Sequence, residues 1–224
     1  MAAVFDDQFN TAGSTSVVGR APDVNPFTGG FSSWDDNAAF GGATAIVTGG
    51  KLTTAAGSPA GSYARPSIGA GGLSYGLPTF IEVTWNWVAP PAPDIAVADA
   101  ELFGLYFDIS AEIFSGARFE VKNNGAGGVS VYDGGAGLIN GGVAPLQVPL
   151  VPGQSYPGKM VFMDGVQTVE FLGMSFSNDQ RFNQSYGLSR IVCFLGRNSS
   201  LDFLTVNVAK GPVWTGYQNT FEVV

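Results

Sequence analysis

The sequence predicts an all-β fold, with two antiparallel sheets packed as a sandwich or jelly roll. Short runs of alternating apolar and polar residues are separated by clusters of Gly, Pro, Asn and Asp. No stretch free of Gly and Pro sustains a 3.6-residue apolar period. Gly supplies 32 of the 224 residues and Pro 13, a share of Gly roughly twice the ordinary one. No internal repeat is present, which argues against a propeller or a solenoid.

The elements follow in chain order. Residues 44–48 and 52–54 read as strands joined by Gly49-Gly50, a pair that tolerates the positive φ of a tight hairpin. Residues 80–88 form the strongest strand: Ile81, Val83, Trp85 and Trp87 share one face, while Phe80, Glu82, Thr84 and Asn86 share the other. Ala89-Pro90-Pro91-Ala92-Pro93 reads as a stiff connector. Residues 99–105 are the best short-helix candidate, with strand preferred from Leu102 onward. Residues 102–110 alternate Phe103, Leu105, Phe107 and Ile109 against Tyr106 and Asp108. Residues 117–123 set Phe119 and Val121 against Arg118, Glu120 and Lys122, and Asn123-Asn124-Gly125 supplies a turn. Further strands are predicted at 128–132, 146–150, 158–163, 166–172, 191–195 and 201–208, with Asp164-Gly165 turning the hairpin between Met163 and Val166. Gly-rich surface loops are expected at 69–76 and 125–142. The sandwich takes residues 1–208, and 209–224 form a C-terminal extension.

Composition excludes several functions. Hydrophobic residues make up 45% and aromatics 12%, so the chain is not disordered overall. The net charge of −8 leaves no basic face for nucleic acid. With no His, there is no Ser-His-Asp triad, Cys-His dyad or His-ligated zinc. Cys193, the only cysteine, forms no disulfide within the chain and reads as a small buried hydrophobe. The residues Met1 to Asp7 lack the basic and apolar regions of a signal peptide, and no apolar run approaches the ~18 residues of a membrane span, so neither export nor membrane insertion is expected.

Phe5-Asp6-Asp7-Gln8-Phe9, then Gly19-Arg20-Ala21-Pro22-Asp23-Val24, then Trp34, resemble the opening of concanavalin A-like jelly-roll modules of the kind found in bacteriophage virion proteins. Residues 163–171 resemble the paired strands of that superfamily, with their Asp-Gly turn. Residues 201–206 resemble its closing strand, which lies beside the opening one. The resemblance spans residues 4–208; the Gly-rich loops and the tail depart from it. It implies a fold shared by lectins, carbohydrate-binding modules, glycosidases and viral surface proteins, among which fold alone does not choose.

Glycosidases of this superfamily align carboxylates along one strand. The matching strand here reads Glu82-Val83-Thr84-Trp85-Asn86, with one carboxylate where a pair is needed. Asp108 and Glu120 are the carboxylates expected nearest Glu82, with solvated outward charge as the alternative for all three. No catalytic residue is assigned. Asp6, Asp7, Asp35, Asp36 and Asp202 offer hard oxygen donors of the type Ca2+ uses, though without EF-hand spacing, and acidic turn chemistry is the alternative. No other cofactor is expected. Trp34, Tyr63, Tyr75, Tyr132 and Tyr186 fall in or near loops, where they would stack on sugar rings or pack on the sandwich.

Low charge and a mean hydropathy of +0.18 point to surface covered by other subunits. Trp214, Tyr217 and Phe221 mark the extension as an arm on a neighbouring subunit of a homotrimer, with folding back onto its own sandwich as the alternative. The expected function is a non-enzymatic structural protein of a bacteriophage virion, as capsid decoration or associated with the tail, with other virion proteins as partners. The alternative is a virion adhesin that binds a host surface glycan or receptor, and a polysaccharide-degrading hydrolase is third.

Overall fold

The computed structural model describes residues 2–11, 13–26, 32–36, 42–69, 80–98, 100–108, 117–123, 129–133, 137–138, 149–163, 166–178 and 190–209. The strands in chain order are β1 (Ala2–Asp7), β2 (Ser14–Ser16), β3 (Ala45–Thr48), β4 (Lys51–Thr54), β5 (Tyr63–Ala64), β6 (Ser67–Ile68) and β7 (Phe80–Val88). After the short helix α1 (Ala92–Ile95) come β8 (Glu101–Asp108), β9 (Ala117–Asn123), β10 (Val129–Asp133), β11 (Gly137–Leu138) and β12 (Ser155–Met163). β13 (Val166–Phe171), β14 (Met174–Asn178), β15 (Arg190–Gly196) and β16 (Ser200–Ala209) complete the described elements.

These strands form two sheets. The larger runs β14-β13-β12-β7-β16-β4-β3-β2, with β1 also on β16; the smaller runs β11-β10-β9-β8-β15-β5, with β6 also on β15. Every ladder between these strands is antiparallel. β16 has β7 along one edge; on the other it takes β4 at Leu201↔Leu52 and then β1, from Leu204↔Asp7 to Val208↔Ala2. The opening and closing strands therefore lie side by side, as the resemblance implies.

Alternation fills the space between the sheets. Ile81, Val83, Trp85 and Trp87 point inward from the larger sheet and meet Phe103, Leu105, Phe119, Val121, Ile191, Cys193 and Leu195 from the smaller one, all buried. The centre is aromatic: ring centroids are 5.4 Å apart for Trp85 and Phe119, 5.5 Å for Trp87 and Phe103, and 5.2 Å for Phe119 and Phe171. Trp85 is paired with Gly158, and its indole lies where a side chain on Gly158 would stand. Cys193 is fully buried, and burial holds its thiol far up, protonated.

Most predicted strands lie within a few residues of the observed ones. Gly49 and Gly50 take φ of 58° and 76° between the paired Thr48 and Lys51, the signs of a type I′ hairpin. Met163 pairs with Val166, while the Asp164-Gly165 turn between them lies outside the described residues. So do 109–110 at the end of the predicted 102–110 strand, 124–125 of the Asn-Asn-Gly turn, and most of the two Gly-rich segments.

Other expectations are corrected. The helix is not at 99–105 but within the Pro-rich connector, where Pro91 is the N-cap and Pro93 falls in the first turn, positions that need no amide hydrogen. The side-chain amide of Asn123 donates to the Ile95 carbonyl and fixes this turn. Pro149 and Leu150 are not in a strand. β1 stands where the resemblance puts the opening strand, whereas β2, β5, β6, β11 and β14 were not in the predicted set; most are too short to show a period. In β8, residues Leu102 to Tyr106 are all buried, so the outer face of the smaller sheet is covered there.

Candidate functional site

The N-terminal signature closes into one buried knot. The Asp7 carboxylate accepts from the Phe9 amide at 2.8 Å, the Trp34 indole N–H at 2.8 Å and the Arg20 guanidinium at 2.5 Å. The Trp34 ring packs against Phe5 and Phe9, and Arg20 lies over Phe9. Asp23 accepts from the Gln8 amide, and Asp6 and Val24 exchange backbone hydrogen bonds. Burial raises the Asp7 carboxyl to about 6, against the pull of its three donors. Trp34 is thus a core residue, 1% exposed, rather than a stacking platform open to sugar.

The structure does not gather the five aspartates into one site. Asp7 is spent on the knot. Asp6 accepts from Thr205 and Gln8, Asp202 accepts from Asn86 and pairs with Lys51, and Asp35 bridges to Ser67. Among the described residues no group of three or more Asp, Glu, Cys or His can hold a metal ion.

The three carboxylates considered for hydrolysis are also separated. Glu82 is on the larger sheet and accepts from Asn207, whereas Asp108 and Glu120 belong to the smaller sheet. Glu120 is not a solvated outward charge either: its side chain is 2% exposed.

Glu120 lies at the centre of the most distinctive surface among the described residues, the outer face of the smaller sheet. Alternation puts Tyr63 and Arg65, two residues apart, on one side of the β5 segment, and Glu120 and Lys122 on one side of β9. Tyr63 stacks on Phe194 at 5.5 Å, Tyr106 packs on Phe194 at 4.2 Å, and the Arg65 guanidinium sits over Phe194 at 4.4 Å. Glu120 pairs with Lys122 at 3.2 Å and is hydrogen-bonded to Glu101. Burial raises the Glu120 carboxyl, against Lys122, Glu101 and Arg65. A bulge between Glu101 and Phe103 and the bare Cα of Gly104 let the Glu101 carboxylate lie over the sheet; a Cβ at Gly104 would come within 3.3 Å of it. Phe194, Tyr106 and Glu120 form a buried floor, while Tyr63, Arg65, Glu101 and Lys122 form a half-buried rim.

Of the predicted sugar-stacking residues, Tyr63 is therefore on this rim. Tyr132 is directly opposite Glu120 in the ladder of β10 and β9. Tyr75, Tyr186, Trp214, Tyr217 and Phe221 lie outside the described residues. Sequence reasoning missed Arg65, Glu101 and Phe194. The i, i+2 spacing of Tyr63 and Arg65 was a legible signal; the meeting of β5, β8, β9 and β15 was not.

No family model matches the chain, and no curated protein matches it. Solved structures do. The CBM2 module of the evolved Dit of Lactobacillus casei BL23 phage J-1 aligns with a TM-score of 0.54 at 16% identity, over 95% of this chain and 97% of that one. The VIP36 exoplasmic/lumenal domain aligns at 0.53 and 11% identity, over 84% and 91%. A conserved carbohydrate esterase of the Shiga toxin-encoding bacteriophage phi24B aligns at 0.50 and 14% identity, over 92% and 98%. With two antiparallel sheets and adjacent opening and closing strands, the fold of this chain is the concanavalin A-like jelly roll.

Proposed function

We propose that this chain is a carbohydrate-binding module of a bacteriophage virion, associated with the tail and working without catalysis. The observation that carries this reading is the likeness to the phage J-1 Dit CBM2 module, which extends over nearly the whole of both chains. The VIP36 domain, similar in fold with a TM-score of 0.51, has been solved in a Ca2+/Man-bound form. The outer face of the smaller sheet supplies what a sugar needs, an aromatic ring at Tyr63 beside the hydrogen-bonding groups of Arg65, Glu101 and Lys122.

Catalysis fits this face poorly. Glu120 is 2% exposed and paired with Lys122, so its carboxyl is not presented to a glycosidic bond. The likeness to the phage phi24B esterase brings no His-dependent triad here, because the chain has no His.

Two measurements test the proposal. The purified chain, applied to an array of bacterial surface glycans, is expected to bind a subset of them, and Tyr63→Ala to weaken that binding about tenfold, roughly 1.4 kcal/mol. Absence of binding to every glycan overturns the proposal. Incubation with acetylated and unacetylated polysaccharides is expected to release neither acetate nor reducing ends; either product overturns the non-catalytic part.

A further inference from the structure

Charge is distributed unevenly over this acidic chain. By ladder register, Tyr106 is opposite Arg118, Asp108 is opposite Arg190, and Gly104 is opposite both Glu120 and Phe194, so these positions share the outer face of the smaller sheet. Among the described residues, and counted by position in the ladders, that face takes Arg65, Arg118, Lys122 and Arg190 against Glu101, Asp108 and Glu120. Glu101 and Glu120 also share a hydrogen bond. The result is a local positive bias on a chain of net charge −8.

Arg65 is held in place by its rings. Its guanidinium lies 4.4 Å from the Phe194 centroid and 5.7 Å from that of Tyr63, a position that cation–π attraction favours. Lys122 is half-buried and 3.2 Å from Glu120.

We propose that this face takes an acidic saccharide, its carboxylate or phosphate held between Arg65 and Lys122 and its ring laid on Tyr63. The inference rests on the carbohydrate-binding reading and adds the chemical class of the ligand. A neutral glycan would leave this charge bias unused, whereas an anion gains charge-assisted hydrogen bonds from a guanidinium already fixed in place.

The test compares the full chain on three immobilised probes: polygalacturonate, its fully methyl-esterified form, and a phosphodiester-bearing bacterial glycan. At least one acidic probe is expected to bind about tenfold more tightly than the neutral one, with the difference shrinking as NaCl rises from about 0.05 to 0.5 M. Which acidic probe wins identifies carboxylate or phosphate as the anion. Arg65→Gln is expected to remove the preference, weakening the acidic probe about tenfold more than the neutral one; Lys122→Arg, which keeps the charge, is expected to preserve it. Equal binding of acidic and neutral probes overturns the inference and leaves the carbohydrate-binding reading standing. Binding to none of the probes or arrayed glycans overturns both. If Arg65→Gln does not fold, the salt series on the unaltered chain decides: a preference that salt does not weaken overturns the inference.

Discussion

The Asp7 carboxyl titrates near 6 in the folded chain and near its ordinary 3.8 when unfolded. Between those values the folded state holds a proton that the unfolded state has released, so acidification through this window favours folding, and the advantage is lost as pH rises through about 6. Two units correspond to about 3 kcal/mol. Glu120, also raised by burial, acts in the same direction. Urea midpoints are therefore expected to rise between pH 7 and pH 5, and Asp7→Asn to flatten that rise; a stability curve that falls on acidification would contradict the burial argument. Gly158 makes a separate prediction, because the Trp85 indole occupies the place of its missing side chain. Gly158→Ala is expected to destabilise by about 1–3 kcal/mol through overpacking, read as a lower thermal midpoint and a red-shifted tryptophan emission.

At the scale of elements, α1 is four residues long and does not stand by its own propensity. Its Asp94, 6% exposed, accepts from Asn198 at 2.8 Å and pairs with Arg197 at 3.3 Å, tying the helix to the turn between β15 and β16. Asp94→Ala strands both partners and is expected to cost about 1–3 kcal/mol, measurable by urea unfolding. The same variant is expected to leave glycan binding unchanged, because α1 contributes nothing to the face around Phe194. The hairpin of β3 and β4 behaves differently. Its two glycines are both at positive φ with open space around them, so the cost of a substitution there is conformational rather than steric.

At the scale of the whole molecule the prediction concerns assembly. We propose that the tail bearing Trp214, Tyr217 and Phe221 is an intersubunit arm of a homotrimer, contacting other virion proteins; these residues lie outside the described ones. Apolar side chains left in water would cost about 1.5–3 kcal/mol each. Deletion of residues 211–224 is expected to leave a folded β-rich domain by far-UV circular dichroism but to lower the mass seen by light scattering. An unfolded product, or an unchanged assembly, would dismiss the arm.

The class of fold follows from local pattern alone. Period-2 alternation at 80–88 and 117–123, with glycine pairs at the turns, is a local property that each strand carries alone, and it put Trp85, Trp87, Phe119 and Val121 inside. The absence of His likewise closed off whole chemistries without any coordinates. Alternation also set Glu120 outward as a solvated charge, and a loop position left Trp34 either to stack on sugar or to pack on the sandwich; both are buried, because burial of an outer face or a loop depends on what lies across it. It takes the folded chain to lay Tyr63 and Arg65 on Phe194, with Phe194 and Glu120 on either side of Gly104, and to close Trp34 over Asp7. The physical reason is range: hydrophobic period and turn chemistry act between near neighbours, whereas the knot and the face are made by segments up to about 130 residues apart, such as Tyr63 and Phe194.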